Sequence, residues 1–276
     1  RILRREIDVL GYTSNFTIYD SDDSMRILKD CMGALNISDK MFAPKMVLGL
    51  ISSAKDKLIT PAAYAAASAS DYRLSTVAKI YEEYAKRLKA ANAVDFDDII
   101  LLTVRLFEEY PDVLEKYQNR YRYILVDEYQ DTNHAQYKFI SLLSQKNRNL
   151  CVVGDDDQSI YGFRGADVRF IRRFEADYEA GIYGLTSNYR STAAILAAAE
   201  RIIAGNRRRM KADMPLHVDR RRMNDSPGEP VRLIAAEGLP AQTAALLRQV
   251  QAWRAAGANW SDMAILGVNH DDLDAF

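Results

Sequence analysis

Tyr123-Ile124-Leu125-Val126-Asp127-Glu128-Tyr129-Gln130-Asp131 is the stretch that decides the fold. Its apolar opening, Tyr123 to Val126, reads as a strand buried on both faces. The run stops abruptly at two carboxylates, and open α/β sheets place ligand chemistry at the carboxyl ends of their strands. An acid there can hold a divalent cation, and its neighbour can orient or deprotonate an attacking water. A lone Asp-Glu pair would read as a polar turn, but a second acidic strand end follows.

That second end is Leu150-Cys151-Val152-Val153-Gly154-Asp155-Asp156-Asp157-Gln158-Ser159-Ile160-Tyr161-Gly162-Phe163-Arg164-Gly165-Ala166-Asp167. Between the two lies a helical pattern over 133–144, with Ala135, Phe139, Leu142 and Leu143 as its buried stripe. Strand, helix and strand within about thirty residues make a βαβ unit, whose strands run parallel and whose loops open on one edge. Asp127, Glu128, Asp155 and Gln158 are expected to converge there.

Outward from this unit the chain divides by pattern. Arg1 to Leu10 reads as the end of an amphipathic helix closed by Gly11. From Asp22 to about Ala90 the pattern is helical throughout. Asp22 or Asp23 serves as a cap, and Pro44 and Pro61 open helices. Val77, Ile80, Tyr81, Tyr84 and Leu88 mark a longer helix, whose tyrosines read as packing residues. Asp95-Phe96-Asp97-Asp98 begins another, its acids favoured in a first turn, and Pro111 opens a short one. After Asp167 the pattern predicts a helix over 168–178, a strand over 182–185, and a helix through Ile195, Leu196, Ile202 and Ile203 that ends near Gly205. A hydroxyl of Thr186-Ser187-Asn188-Tyr189-Arg190-Ser191-Thr192 is the expected cap. Strands over 231–235 and 263–266 around a helix over 242–255 predict a second βαβ unit. Arg207, Arg208, Arg209, Lys211, Arg220, Arg221 and Arg222 form a basic run, read either as phosphate contacts or as a solvated loop.

Bulk properties narrow the class. The 276 residues exceed the usual single-domain size. A net charge of −1 gives no global attraction for nucleic acid, so any such surface must be local. Two cysteines, Cys31 and Cys151, lack metal or disulfide spacing and fit a reducing, cytoplasmic setting, with Cys151 a small apolar residue in a buried strand. No apolar run approaches the ~20 residues of a membrane span. The start on Arg1-Ile2-Leu3-Arg4-Arg5, without Met and in mid-helix, reads as an excised piece of a longer protein.

The two acidic strand ends resemble the second and third helicase motifs of superfamily 1A DNA helicases, the bacterial UvrD/Rep/PcrA type. The segment from Arg1 to Asp20 is similar to the stretch after that family's Ib motif. Asp95 to Asp98 resembles a motif that offers an aromatic ring to DNA, and Asn188 to Ser191 resembles motif IV. The resemblance implies an α/β fold: a partial P-loop NTPase (RecA-like) parallel sheet, an all-helical inserted subdomain, and part of a second RecA-like domain. Residues 1–12 would end the first part of motor domain 1A and 13–94 would form helical subdomain 1B. Residues 95–185 would carry motifs II and III of 1A, and 186–276 would begin domain 2A.

The resemblance also implies ATP and Mg²⁺ as cofactors and single-stranded DNA and its junctions with duplex as partners. The activity it implies is ATP-dependent translocation or unwinding, 3′ to 5′, in DNA repair or replication restart. Carried over residue by residue, Asp127 looks like the Mg²⁺ ligand and Glu128 like the base that positions water. Gln158 looks like the γ-phosphate sensor, Arg190 like an arginine finger and Tyr189 like the adenine-stacking ring. Phe96, Tyr161, Phe163 and Arg164 look like the DNA-contacting group, with Phe163 where many members carry Trp. The closing stretch, Ala264 to His270, departs from the family's Leu-Tyr-Arg-x-Asn pattern. The phosphate-cradling Gly-x-x-x-x-Gly-Lys-Ser/Thr pattern does not occur in the chain, so the expectation is an internal fragment without ATPase activity of its own. Two other readings are a motor subunit of the helicase–nuclease kind and a truncated protein that binds DNA without catalysis.

Overall fold

A computed structural model describes residues 1–219, 227–268 and 273–274. They fall into two units, Arg1–Tyr183 with Arg208–Met210, and Gly184–Arg207 with Lys211–Phe276. In the first unit, α1 (Leu3–Glu6) runs into a 3₁₀ turn ending on Gly11, whose φ of 78° is the expected left-handed cap. β1 (Thr17–Ile18) leads to α2 (Ser21–Ala34). The cap of α2 is Asp20, not Asp22 or Asp23. Asp20 keeps an extended backbone, so its carboxylate accepts the N–H groups of both later aspartates.

Pro44 and Pro61 open α3 (Pro44–Asp56) and α4 (Pro61–Ala67), and Asp71 caps α5 (Tyr72–Ala90). Their apolar stripes close one core through Leu28, Met32, Val47, Ile51, Ile80 and Leu88. Tyr81 and Tyr84 pack inside that core, whereas Tyr72 is exposed. β2 (Ala93–Val94) pairs in parallel with β1, so the chain returns beside its point of departure. α6 (Phe96–Glu109) follows with Asp95 and Asp98 in a reciprocal capping box, and Pro111 opens α7 (Pro111–Arg120).

The acids at the start of α6 do more than suit the helix dipole. Lys55, from the last turn of α3, is 2% exposed and places its Nζ 2.6 Å from Asp95 and 2.7 Å from Asp98. The Tyr84 hydroxyl donates to Asp95 at 3.0 Å. Burial opposes every charge in this cluster. The two carboxylates nonetheless hold the Lys55 ammonium above its ordinary value, and the ammonium holds Asp95 below its own. Asp98, sharing that one cation, is pushed up to about 6 by burial and by the Asp95 charge.

β3 (Ile124–Val126), α8 (His134–Ser144) and β4 (Leu150–Val152) form the expected βαβ unit, with the strands parallel and Leu125 opposite Cys151. Asn133 caps α8 in a second reciprocal box with Gln136. Burial on both faces is not observed. Ile124 and Val126 turn toward the helices, but Leu125 on the other face is 78% exposed and Cys151 beside it is exposed too. Side chains alternate along a strand, and none of the described residues adds a third strand or a covering layer. α9 (Arg169–Tyr178) then packs Ile171 and Phe174 against Tyr129.

In the second unit β5 (Ser187–Asn188) and β6 (His217–Val218) pair in parallel, with α10 (Ala193–Ile203) between them and α11 (Gly238–Ala255) after them. The strands expected over 182–185, 231–235 and 263–266 do not form, because apolar residues make a strand only where a second chain segment completes the ladder. Thr192 stands at the cap position of α10, yet its hydroxyl makes no capping bond. Arg220 to Arg222 of the basic run, and Asn269 and His270 of the closing stretch, lie outside the described residues. No helix among the described residues is long and apolar enough to cross a membrane.

Two outcomes follow from this packing. Lys55→Met leaves two buried carboxylates without a counter-charge, so urea unfolding should register a loss of about 3–5 kcal/mol; a loss under about 1 kcal/mol would show the cluster to be dispensable. A thiol reagent at pH 8 should modify Cys151 rapidly. Cys31, buried and with its thiol pushed up to about 11 by burial, should react only on unfolding. Equal reaction rates for the two would contradict the open face of β3 and β4.

Candidate functional site

β3 ends where Asp127 and Glu128 leave the ladder, both exposed. Asp127 Oδ1 accepts the Glu128 N–H at 3.0 Å. Glu128 adopts φ 51° and ψ 40°, a left-handed conformation costly for a residue with a Cβ. This twist lets the chain turn sharply into a 3₁₀ segment, Tyr129–Asp131, while the Tyr129 N–H still reaches the Val153 carbonyl of the neighbouring strand at 3.0 Å.

The side chain that joins the two strand ends is Gln130, which the sequence reading did not single out. It is 1% exposed. Its Nε2 donates to Glu128 Oε2 at 2.7 Å, and its Oε1 accepts the Asp155 N–H at 3.0 Å. Asp155 in turn accepts Gln158 Nε2 at 2.8 Å. Glu128, Gln130, Asp155 and Gln158 thus form one chain of hydrogen bonds across the carboxyl edge of the parallel pair. The signal in the sequence was a glutamine one residue beyond the buried Tyr129, where a solvated turn has no need of an amide.

The carboxylates of Asp155, Asp156 and Asp157 lie within 4.8 Å of one another. Asp156 and Asp157 are paired within the protein. Arg172 pairs with Asp156 at 3.0 Å and Arg209 with Asp157 at 2.9 Å, while the Met210 N–H donates to Asp156. Arg209 therefore fits neither reading of the basic run: its side chain is only 8% exposed and anchors the loop after β4.

Beyond Gln158 the loop presents a different surface. Tyr161 and Phe163 are exposed, with ring centroids 5.9 Å apart, and the Arg164 guanidinium lies 5.6 and 5.7 Å from the two rings. Gly165, at φ 82°, ends this turn and brings the chain back against Asp56 and Asn133. Phe96, in the first turn of α6, is 63% exposed because the buried acids on either side commit the backbone and leave the ring outward. Tyr189 and Arg190 belong to the second unit, where Asn188 Oδ1 accepts the N–H groups of Arg190 and Ser191 at 3.0 and 2.7 Å. A cavity of about 510 Å³ also opens beside α8 and α9, lined by Asp56, Lys57, His134, Tyr137, Phe170 and Arg173. Burial, with the Asp97 charge nearby, pushes Asp56 there up to about 6.

Gly154 is the tightest point of the site. A Cβ at this position would stand 2.6 Å from Gln130 Oε1 and 2.7 Å from Ile171 Cδ1. Gly154→Ala should therefore cost about 1–3 kcal/mol in chemical unfolding; an unchanged unfolding curve would mean that the Gln130 amide is not held where it is described.

Sequence comparisons relate the chain to one known family. A family described as the UvrD/REP helicase N-terminal domain matches residues 1–179. The chain is 44% identical over 267 residues to a Staphylococcus aureus protein named ATP-dependent DNA helicase PcrA, covering 96% of this chain and 36% of the relative. It is 43% identical over the same length to the protein of that name from Staphylococcus epidermidis, with the same coverage. The chain thus spans about a third of the length of the curated relatives it matches. On this match, which takes in both acidic strand ends and the loop that follows them, the chain belongs to the UvrD/REP helicase family.

Proposed function

We propose that this chain is the part of an ATP-dependent DNA translocase or helicase that couples nucleotide hydrolysis to movement on single-stranded DNA, 3′ to 5′, in DNA repair or replication restart. The observation that carries the reading is the hydrogen-bond chain from Glu128 through Gln130 and Asp155 to Gln158, followed within a few residues by the exposed Tyr161, Phe163 and Arg164. One short loop would then hold both the groups that act on nucleotide and the groups that meet DNA. In this reading residues 95–185 are the RecA-like motor portion, 13–94 its helical subdomain 1B, and 186–276 the start of a second RecA-like domain.

Asp127 suits a Mg²⁺ ion: it is an exposed hard oxygen ligand at a strand end, whereas Asp156 and Asp157 nearby are already paired with arginines. When bound, the ion supplies positive charge to the ATP phosphates. Glu128 orients the attacking water and receives its proton. Gln158 donates to a γ-phosphate oxygen and accepts from the same water, as an amide can do both. Arg190 stabilises the charge that develops on the transferred phosphoryl group, a contribution worth roughly 10³–10⁵ in rate in P-loop enzymes. Tyr189 stacks on the adenine. Phe96, Tyr161 and Phe163 stack on bases at about 1–3 kcal/mol each without sequence preference, and Arg164 adds its charge.

The test is ATP hydrolysis by the full-length polypeptide carrying this chain, with and without single-stranded DNA. DNA should stimulate turnover, and Glu128→Gln should reduce it by at least about 10²-fold. The 276-residue chain alone, which has no phosphate-cradle motif, should show none. Absent stimulation with DNA binding intact would favour a non-catalytic DNA-binding protein, and displacement of duplex from 5′-tailed rather than 3′-tailed substrates would reverse the proposed polarity.

A further inference from the structure

We propose that Gln130 is the positioning residue of the site: its buried amide holds the Glu128 carboxylate in place and ties it to the loop that carries Gln158. The inference rests on the role given to Glu128 above. It starts from a mismatch in exposure. Glu128 is exposed and extends from a left-handed backbone, so burial does not fix its side chain. Gln130 is almost fully buried and has one fixed orientation. Its Nε2 faces Glu128 Oε2 at 2.7 Å and Asp131 Oδ2 at 3.4 Å, while its Oε1 faces the Asp155 N–H. Turning the amide over would point its oxygen at two carboxylates and its N–H₂ at an N–H donor, so the neighbours permit only the observed arrangement.

The other end of the link is equally constrained. The Gln130 carbonyl accepts the Ser159 hydroxyl at 3.3 Å, one residue past Gln158. Gly154 leaves no room for a Cβ against the amide oxygen, so the loop lies directly on Gln130. Gln130 thereby contacts Glu128 itself and, on either side of Gln158, Asp155 and Ser159, and needs no contact with nucleotide itself. It sets the separation between the carboxylate that would hold the water and the amide that would touch the γ-phosphate. Misplacing a reacting group by about 1 Å can cost on the order of 10²-fold in rate.

A double-mutant cycle in the full-length polypeptide tests this, using single-turnover and steady-state ATP hydrolysis with single-stranded DNA. Gln130→Met keeps the side-chain length and removes the amide. It should lower kcat by about 10- to 100-fold while the KM for ATP changes less than about twofold, and the Glu128→Gln/Gln130→Met double variant should be no slower than Glu128→Gln alone. Gly154→Ala, which displaces the amide without deleting it, should give the same kcat-selective loss and stands in if Gln130→Met does not fold. Wild-type kcat in the variants, a rise in KM matching the fall in kcat, or multiplied losses in the double variant would overturn the inference while leaving Glu128 its role. A wild-type polypeptide without DNA-stimulated turnover would instead remove the functional reading itself, and this inference with it.

Discussion

The first unit depends on one buried ion cluster. Lys55 closes α3, Asp95 and Asp98 open α6, and Tyr84 comes from the middle of α5. Three helices of different sequence origin therefore meet at one ammonium. Dispersion within the helical core would tolerate sliding of one helix past another, since apolar contacts are non-directional. Charged hydrogen bonds removed from water do not, because each misalignment leaves a buried charge unsatisfied. The cluster thus gives α6 a fixed start, and with it Phe96 a fixed place at the surface.

The same economy appears at the strand ends, where Gln130 plays among neutral and acidic partners the role that Lys55 plays among carboxylates. Both are polar side chains almost without exposure. Both connect segments distant in sequence or separated by a turn, and both leave a neighbouring side chain exposed: Phe96 in one case, Glu128 in the other. The exposed groups proposed to act on ligands sit here beside buried polar groups that never reach the surface.

Much of this was legible in the sequence because the signals were local. Gly11, Pro44, Pro61 and Pro111, the Asp95–Asp98 box, and the 3.6-residue spacing of Val77 to Leu88 each declare themselves within one or two turns. The βαβ unit was legible because its two strands end on acids. What failed was non-local. Ile182 to Leu185, Val231 to Ala235 and Met263 to Leu266 are apolar enough for strands, but a ladder needs a partner that composition cannot supply. Leu125 and Cys151 look buried from hydropathy, yet burial depends on what lies across the sheet. Lys55 was missed although its spacing placed it on the stripe of Val47, Ile51 and Ala54: a lysine on an apolar face is a request for an acid elsewhere. Gln130 was missed because a glutamine beside two acids reads as a solvated turn.

The left-handed backbone of Glu128 has a consequence of its own. Glycine would occupy that conformation without the Cβ penalty, but Glu128→Gly would also remove the carboxylate that accepts from the buried Gln130 amide. A carboxylate persists there at a cost of about 1–2 kcal/mol. The left-handed turn and the Gln130 hydrogen bond therefore act on this position in opposite senses, and its side chain cannot be shortened to relieve the first without losing the second.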